Sequence, residues 1–373
     1  MVYETERKEI LRNHLLIPLT VVAIALPGVF SLGPSGAWAS CNTASCPIDL
    51  STVETGGHQV QVERGLSLHF TYESIEQDQP RYGSNAVQFQ HIRRTDHDEI
   101  ETSNRNVNAR ALYTLSPQWS FSLTVPVVRR SHSHILGSGH LHDEEEHAED
   151  HDDDDLDGLA EVGFESWDFT ELGDVAIRGR YQSVRPGSAG PDWSVSGGLG
   201  LPTGATDLRN DAGALAEPSL QPGTGGWSLL LNAGYRNHVR LPLLDGGRLG
   251  GGALSMWTIS SSLRLNTRGE ADYRYGNEWL THAGLHHSVS STVDLLGQFV
   301  VRWRGHDDAG DTGELIDATG GTAIYLSPGL NLKLAQGLSA YGYYQLPIFQ
   351  DVNEVQLTSD SNLVFGLGYR LSL

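Results

Sequence analysis

Lysine is almost absent from this chain of 373 residues, and cysteine is equally rare. Lys8 and Lys333 are the only lysines, so nearly every basic side chain is an arginine, whose charge is permanent and whose donors form a fixed fork. The formal net charge of −21 argues against nucleic acid as a partner, because phosphate contacts require a basic surface. Cys41 and Cys46 lack the C-x-x-C redox spacing and the C-x-x-C-H haem spacing.

Long apolar runs are also absent, apart from one near the N-terminus. Arg7, Lys8 and Arg12 precede an apolar run over 15–30, and Ala37-Trp38-Ala39 forms an A-x-A cleavage site. This order predicts a cleaved secretory signal peptide over 1–39. A membrane-anchor helix is disfavoured because prolines and a glycine interrupt the run.

The segment over 40–62 is expected to follow the signal peptide in the periplasm. Lipidation at Cys41 is disfavoured, because Trp38 stands where a lipobox requires leucine or a similar residue. In an oxidising compartment Cys41 and Cys46 are expected to form a small disulfide loop. The remaining residues, 63–373, then form one domain.

Strict alternation of apolar and polar residues is the strongest pattern in that domain. The apolar positions of the final segment are Leu363, Phe365, Leu367, Tyr369, Leu371 and Leu373. A period of two predicts a strand with one apolar face. Eleven earlier segments repeat this design, at about 66–73, 106–115, 119–127, 174–182, 193–201, 227–238, 253–266, 277–288, 293–304, 324–334 and 338–349.

These segments predict an all-β fold, a transmembrane antiparallel up-and-down β-barrel of about 12 strands. Each segment is long enough for a tilted strand to cross a bilayer, and only a closed sheet satisfies every backbone group in lipid. A hydrophobic content of 39% fits, since alternation hides the apolar face in the average. A soluble β-sandwich also alternates, but it does not predict tight turns on one side and long connections on the other.

Arginine falls on the polar register, which is the lumen side of such a barrel. An arginine on the lipid face costs about 2–4 kcal/mol at mid-membrane, so this register matters. The candidate lumen residues are Arg178, Arg180, Arg236, Arg302 and Arg304, with Asp174, Asp294 and Glu278 opposite them. Opposed charges of this kind select solutes by charge and size.

Several short motifs resemble a known family of outer-membrane barrels. They are Leu172-Gly173-Asp174-Val175, Gly200-Leu201-Pro202-Thr203-Gly204, Gln221-Pro222-Gly223-Thr224-Gly225-Gly226-Trp227, Tyr325-Leu326-Ser327-Pro328-Gly329 and Gln345-Leu346-Pro347-Ile348-Phe349-Gln350. In this order they resemble the transporters grouped as "MetA-pathway of phenol degradation" proteins. The resemblance covers residues 63–373 and implies a barrel that passes small, including aromatic, compounds.

The predicted external loop over 131–171 is rich in histidine and acid. Its candidate metal ligands are His132, His134, His140, His142, His147, His151, Asp153, Asp155 and Asp157. Imidazole suits Zn, Cu and Ni, and the Asp-x-Asp-x-Asp-Gly run resembles the start of a Ca loop, although Phe164 stands where an EF-hand requires glutamate. The alternative is a solvated, disordered loop. The lumen histidines His69, His282 and His286 are expected to be polar lining.

Catalytic arrangements are weak in this sequence, and no enzyme activity or required cofactor is expected. His287 and Ser288 could mimic a lipid-facing hydrolase, but adjacent strand residues point to opposite faces. Asp307, Asp308 and His306 could mimic an acidic protease pair, but such acids are usually just solvated.

The sequence therefore predicts a channel of the Gram-negative outer membrane that passes small solutes, such as aromatic compounds or metal ions, by passive diffusion. The alternative is a surface protein that binds metal through the acidic loop and transports little. Expected partners are outer-membrane lipid, small solutes and the barrel-assembly machinery, which would recognise the C-terminal strand.

Overall fold

The computed structural model describes residues 64–89, 99–135, 164–183, 192–240, 255–310 and 314–372. The predicted signal peptide, Cys41, Cys46 and the candidate ligands from His140 to Asp157 lie outside these ranges. Two complete 3-10 turns of three residues occur in the described part, Pro218–Leu220 and Glu270–Asp272. None of the helices described there could reach across a bilayer.

Strands make up almost all of the regular structure. Their bounds are β1 Gly65–Gln77, β2 Gln79–Gly83, β3 Asn85–Ala86, β4 Glu99–Thr114, β5 Trp119–Ile135, β6 Phe164–Leu172, β7 Ala176–Gln182, β8 Asp192–Gly200, β9 Ser228–Val239, β10 Ser255–Asn266, β11 Glu278–Ser288, β12 Val293–Arg304, β13 Asp307–Ala309, β14 Glu314–Ile316, β15 Gly321–Ala335, β16 Leu338–Thr358 and β17 Asn362–Ser372.

The long strands close into a 12-strand antiparallel barrel. Around the ring the order is β1, β4, β5, β7, β8, β9, β10, β11, β12, β15, β16 and β17, with β6 above β7 on the same edge of β5. β1 pairs with β17 from Gly65↔Ser372 to Ile75↔Asn362, which joins the first and last strands. The predicted up-and-down barrel is confirmed.

The outward face of the barrel is apolar, as the alternation predicts. On β17, Phe365 and Leu367 are exposed by 52% and 50%, whereas the intervening inward side chains are small, polar or buried. Outward residues on the other strands behave alike, including Phe121, Leu199, Leu229, Phe299 and Leu330. An exposed apolar surface of this extent, wrapped around a closed sheet, fits the hydrocarbon of a bilayer.

Aromatic side chains form a girdle near each end of the barrel. Trp119, Tyr181 and Trp193 lie together near the turns on one side, with ring centroids 5.1 Å and 5.5 Å apart. On the other side of the barrel, Trp279 near the start of β11 and Trp303 near the end of β12 are exposed. Trp and Tyr prefer the membrane interfaces, so the two girdles mark the borders of the apolar belt.

The strands extend beyond the predicted segments on the side of the long connections. β5 continues to Ile135 and β6 begins at Phe164, so both ends of the predicted loop 131–171 are paired strand. β16 reaches Thr358 and pairs there with β2. These extensions differ from the predicted bounds because they stand outside the apolar belt and lack the apolar face that reveals a period of two.

Part of the barrel interior is a hydrophobic cluster, although the alternation predicts a polar lumen. It comprises Leu280, Leu296, Val300, Ala323, Tyr325, Tyr341, Tyr343 and Val364. Tyr341 lies across Gly366, where an added Cβ would meet the ring at 2.1 Å, and its hydroxyl contacts the Thr71 hydroxyl at 2.9 Å. The cluster occupies the wall from β11 to β17 and leaves the opposite wall polar.

The outward register generates a stability prediction. Leu367→Arg places a charge at the middle of β17 on the lipid face, and we expect it to lower the free energy of unfolding by about 2–4 kcal/mol. Leu371→Arg, on the same face near the end of the strand, should cost about 0–1 kcal/mol. Urea titration of protein folded in lipid vesicles measures both. Equal losses for the two variants would contradict the assigned membrane depth.

Candidate functional site

Four inward arginines line a cavity inside the barrel. Arg178 and Arg180 are two residues apart on β7, Arg110 comes from β4, and Arg236 comes from β9. The other polar side chains around it are hydroxyls, amides and one imidazole: Ser120, Ser122, Gln182, Ser194, Ser196, Asn232, Thr258, Ser260 and His282. No carboxylate occurs among the described residues that line this cavity.

Small residues on the neighbouring strand give these arginines room. β8 presents Ser194, Ser196 and Gly198 on the inward side, beside the two arginines of β7. A Cβ added at Gly198 would meet the Arg178 side chain at 2.4 Å, so this position requires glycine. Alternation therefore determines that the arginines face the lumen. The short inward side chains of β8 leave room in the lumen for their guanidinium groups.

A second cavity adjoins the first and shares Arg178, Ser196 and Asn232 with it. Two apolar side chains, Leu230 and Leu280, are inward and buried there. Arg264 and Glu278 line the same cavity, so Arg178 stands beside two buried leucines and a second pair of opposite charges.

The predicted lumen acids do not face the arginines as one ring. Glu278, which lines the second cavity, accepts hydrogen bonds from Arg302 at 2.8 Å and 2.5 Å and so forms a local ion pair there. Asp294 lies near the turn end of β12. It accepts hydrogen bonds from Ser288, Asn331 and Lys333 at 2.7–2.8 Å. These two carboxylates therefore neutralise neighbouring cations within their own clusters.

Asp174, the third predicted acid, holds together three motifs that are distant in sequence. Its Oδ1 accepts the backbone N–H groups of Thr203 and Gly204 at 3.1 Å and 2.9 Å. Its Oδ2 accepts the N–H and the hydroxyl of Thr224 at 2.9 Å and 2.6 Å. Gly204 and Gly223 approach so closely that a Cβ on either would lie within 2.5 Å of the other's backbone. Asp174 therefore fixes both ends of the connection from β8 to β9.

That connection, residues 201–227, crosses the mouth of the barrel. Arg130 on β5 donates to the carbonyls of Ser219 and Leu220 at 3.1 Å and 2.7 Å. The Tyr275 hydroxyl, from the connection between β10 and β11, donates to the Pro218 carbonyl. β5 and β10 stand four places apart in the ring of twelve, so the 3-10 turn spans the opening between them.

Buried apolar contacts reinforce this closure. Leu220, Ala216 and Trp167 form a small hydrophobic cluster, with Phe169 and Ala214 against it. The Trp167 indole N–H donates to the Ala214 carbonyl at 3.2 Å. The mouth is thus narrowed by a packed segment.

Asp307 and Asp308, considered above as a protease-like pair, form structural ion pairs instead. Asp307 accepts hydrogen bonds from Tyr273 at 2.5 Å and from Arg304 at 2.9 Å, and its side chain is fully buried. Arg268 binds both oxygens of Asp308 at 2.9 Å. The expectation that these acids are merely solvated was wrong, because adjacent arginines satisfy them. Burial, followed by the Asp307 charge, raises the pKa of Tyr273 well above its usual value.

The two candidate metal ligands in the described region are both inward on β5. His132 contacts the Thr102 hydroxyl at 2.8 Å, and His134 lies 3.3 Å from Glu165. Their ring centroids are 5.7 Å apart, and both rings contact Trp167. No group of three or more potential metal ligands occurs among the described residues. Metal binding by the acidic loop stays a prediction.

His287, considered above with Ser288 as a hydrolase-like pair, has a different serine partner. Its Nδ1 lies 2.9 Å from the Ser255 hydroxyl on β10, whereas Ser288 donates to Asp294. Ser255 and His287 are exposed by only 0% and 1%. This Ser–His contact is closed to a substrate, and sequence spacing alone could not reveal it because the partners are on different strands.

Comparison with known proteins places the fold. No protein-family model matches the chain, and no curated protein sequence matches it. The COG4313 outer membrane channel from Pseudomonas putida F1 is similar in structure, with a TM-score of 0.58, 12% identity, and coverage of 86% of this chain and 100% of that chain. At this identity the likeness shows a shared fold.

Two further solved structures align with lower scores. The translocator domain of the autotransporter NalP from Neisseria meningitidis has a TM-score of 0.37, with 10% identity over 86% of this chain and 91% of that chain. The CymD monoaromatic hydrocarbon channel has a TM-score of 0.35, with 10% identity over 84% of this chain and 90% of that chain.

The Asp174 junction generates a prediction about local stability. Asp174→Ala removes four hydrogen bonds to a charged acceptor, and such bonds contribute about 1.5–3 kcal/mol each. We expect amide hydrogen exchange at Thr203, Gly204 and Thr224 to accelerate at least about tenfold. Asp207→Ala changes an exposed acid of the same connection and should leave these rates unchanged. Unchanged exchange in the Asp174 variant would contradict the junction.

The buried Asp307 pair generates a second prediction. Asp307→Asn leaves Arg304 and Tyr273 without their anionic partner, and we expect the free energy of unfolding to fall by about 3–5 kcal/mol. Asp317→Asn, an exposed change in the same connection, should alter it by no more than about 0.5 kcal/mol. Urea unfolding monitored by tryptophan fluorescence compares the two, and equal stabilities would rule out a structural ion pair.

Proposed function

We propose that this protein is a channel of the Gram-negative outer membrane that passes small solutes by passive diffusion. The single observation that carries the proposal is the arginine-lined cavity inside a barrel whose outer face is apolar. A lipid-facing cylinder with a charged interior has little physical use as a soluble scaffold, and it provides a polar path through a bilayer.

The narrowed mouth supports small rather than large solutes. Residues 201–227 cross the opening and are held by Arg130 on β5 and by Tyr275 in the connection between β10 and β11, on different sides of the ring. A solute must therefore pass beside a packed segment before it reaches the arginines. The fold shared with an outer membrane channel is compatible with this proposal, and the proposal takes no substrate from that likeness.

The convergence of three sequence motifs at Asp174 supports the resemblance to the "MetA-pathway of phenol degradation" barrels. Motifs that are remote in sequence yet meet at one carboxylate have a common structural purpose, which is to hold the connection across the mouth. We propose that this chain is a transporter of that type. Outer-membrane lipid is its expected surroundings, and the alternating C-terminal strand is its expected signal to the barrel-assembly machinery.

Electrical recording tests the channel proposal. Purified, folded protein should produce discrete conductance steps in planar bilayers and allow sugars to swell liposomes. Ser196→Trp fills the arginine-lined cavity, so we expect a large fall in conductance. Val195→Trp is the matched control, because the adjacent side chain points to lipid and is exposed by 45%.

Folding is checked separately in each sample by the heat-dependent gel mobility of folded barrels. Folded wild-type protein that produces neither conductance nor swelling would refute the channel. Equal conductance in the two tryptophan variants would place the solute path outside this cavity.

A further inference from the structure

The chemistry of the two adjoining cavities points to a class of solute. The first cavity is lined by four guanidinium groups together with hydroxyl and amide groups that can donate hydrogen bonds. An arginine fork presents two parallel N–H groups at the spacing of a carboxylate's oxygens. An anion with two or more acceptor oxygens is therefore the natural complement of this surface.

Apolar side chains stand directly beside the cationic surface. Leu230 and Leu280 are 5% and 3% exposed and line the cavity that shares Arg178 with the first. Arg264 and Glu278 line it too, and Arg302 neutralises the Glu278 carboxylate. Both leucines are on the inward register, where a purely aqueous pore would carry polar residues. A solute bound to Arg178 by its acidic group can direct a short hydrocarbon body towards these leucines.

The wall of the barrel that faces the arginines of β7 also carries apolar side chains in the lumen. β7, which carries Arg178, and β15, which carries Tyr325, stand six places apart in a ring of twelve strands and therefore face each other. A third cavity shares Thr258 and His282 with the first and reaches Tyr343. The lumen thus has one wall rich in arginine and, facing it, a wall that carries the tyrosine cluster together with locally neutralised charge pairs.

We propose that this channel selects small carboxylates that carry an apolar body, and that Arg178, Arg180 and Arg236 with Leu230 determine this specificity. The proposal rests on the channel function proposed above. Inorganic phosphate shares the oxyanion chemistry, but a multiply charged ion without an apolar part loses more hydration and gains nothing from the leucines. The observations therefore favour organic monoanions.

Reversal potentials in planar bilayers measure the charge preference. Salt gradients of sodium hexanoate, sodium acetate, sodium phosphate and hexylammonium chloride vary the charge and the apolar body independently. Removing one unit charge at about 7 Å from the path in water changes anion occupancy about threefold, so each Arg→Gln change should lower the anion-to-cation permeability ratio about threefold. Arg129→Gln removes an exposed arginine on the outward side of β5 and should leave the ratio unchanged.

Block of chloride current measures the apolar contribution. We expect hexanoate to halve the current at a concentration about tenfold below that of acetate, because part of its hydrocarbon chain leaves water. Leu230→Ser should remove this difference. Leu229→Ser, which is outward and exposed by 41%, is the control and should preserve it.

The outcomes separate the inference from the function on which it rests. Absence of any conductance from folded protein would refute the channel and the inference together. Conductance with no anion preference, or with equal block by hexanoate, acetate and phosphate, would overturn the inference and leave the channel intact. Arg178→Lys, Arg180→Lys and Arg236→Lys should restore the anion preference lost in the glutamine variants, which distinguishes lost charge from misfolding.

Discussion

The closure of β1 on β17 is the constraint on which the rest of the structure depends. In hydrocarbon an unpaired backbone N–H or carbonyl costs several kcal/mol, so a sheet in lipid cannot keep a free edge. The pairing from Gly65↔Ser372 to Ile75↔Asn362 removes that edge along the whole of β1 below its external end. Once the ring is closed, each side chain has only two directions, lipid or lumen. The inward arginines follow from this geometry, because the opposite direction would place their charge in hydrocarbon.

Outside the apolar belt, water relaxes that constraint and other interactions determine the structure. There the chain is fixed by buried carboxylates, which accept backbone N–H groups at Asp174 and arginine N–H groups at Asp307 and Asp308. Such bonds are stronger than neutral ones and have defined directions, so they can hold irregular backbone in one arrangement. The connection over 201–227 lies across the mouth because Asp174 fixes both of its ends and Arg130 holds its middle.

Alternation was sufficient to predict the barrel, the strand count and the side to which most residues point. It identified outward Phe365 and inward Arg302 correctly, because both lie inside the belt where one face must be apolar. It could not predict the strand character of 131–135, because this extension stands beyond the apolar belt and neither of its faces is apolar. It also could not predict contacts between side chains of different strands, such as that of Ser255 with His287. Register between strands depends on the closed ring, and a single strand's sequence does not encode it.

The apolar cluster inside this barrel has two effects that a uniformly polar lumen would not have: it stabilises one wall, and it changes the environment of the arginines opposite. The cluster around Tyr325 and Val300 buries apolar surface inside the cylinder and so stabilises the wall from β11 to β17. Apolar side chains on that wall polarise less than water does, so the field of the arginines opposite is stronger there than in bulk solvent. A charged group entering alone would lose its hydration there, whereas an anion that also carries hydrocarbon gains from both walls. The packing that stabilises the fold is therefore also what would make the arginine surface selective.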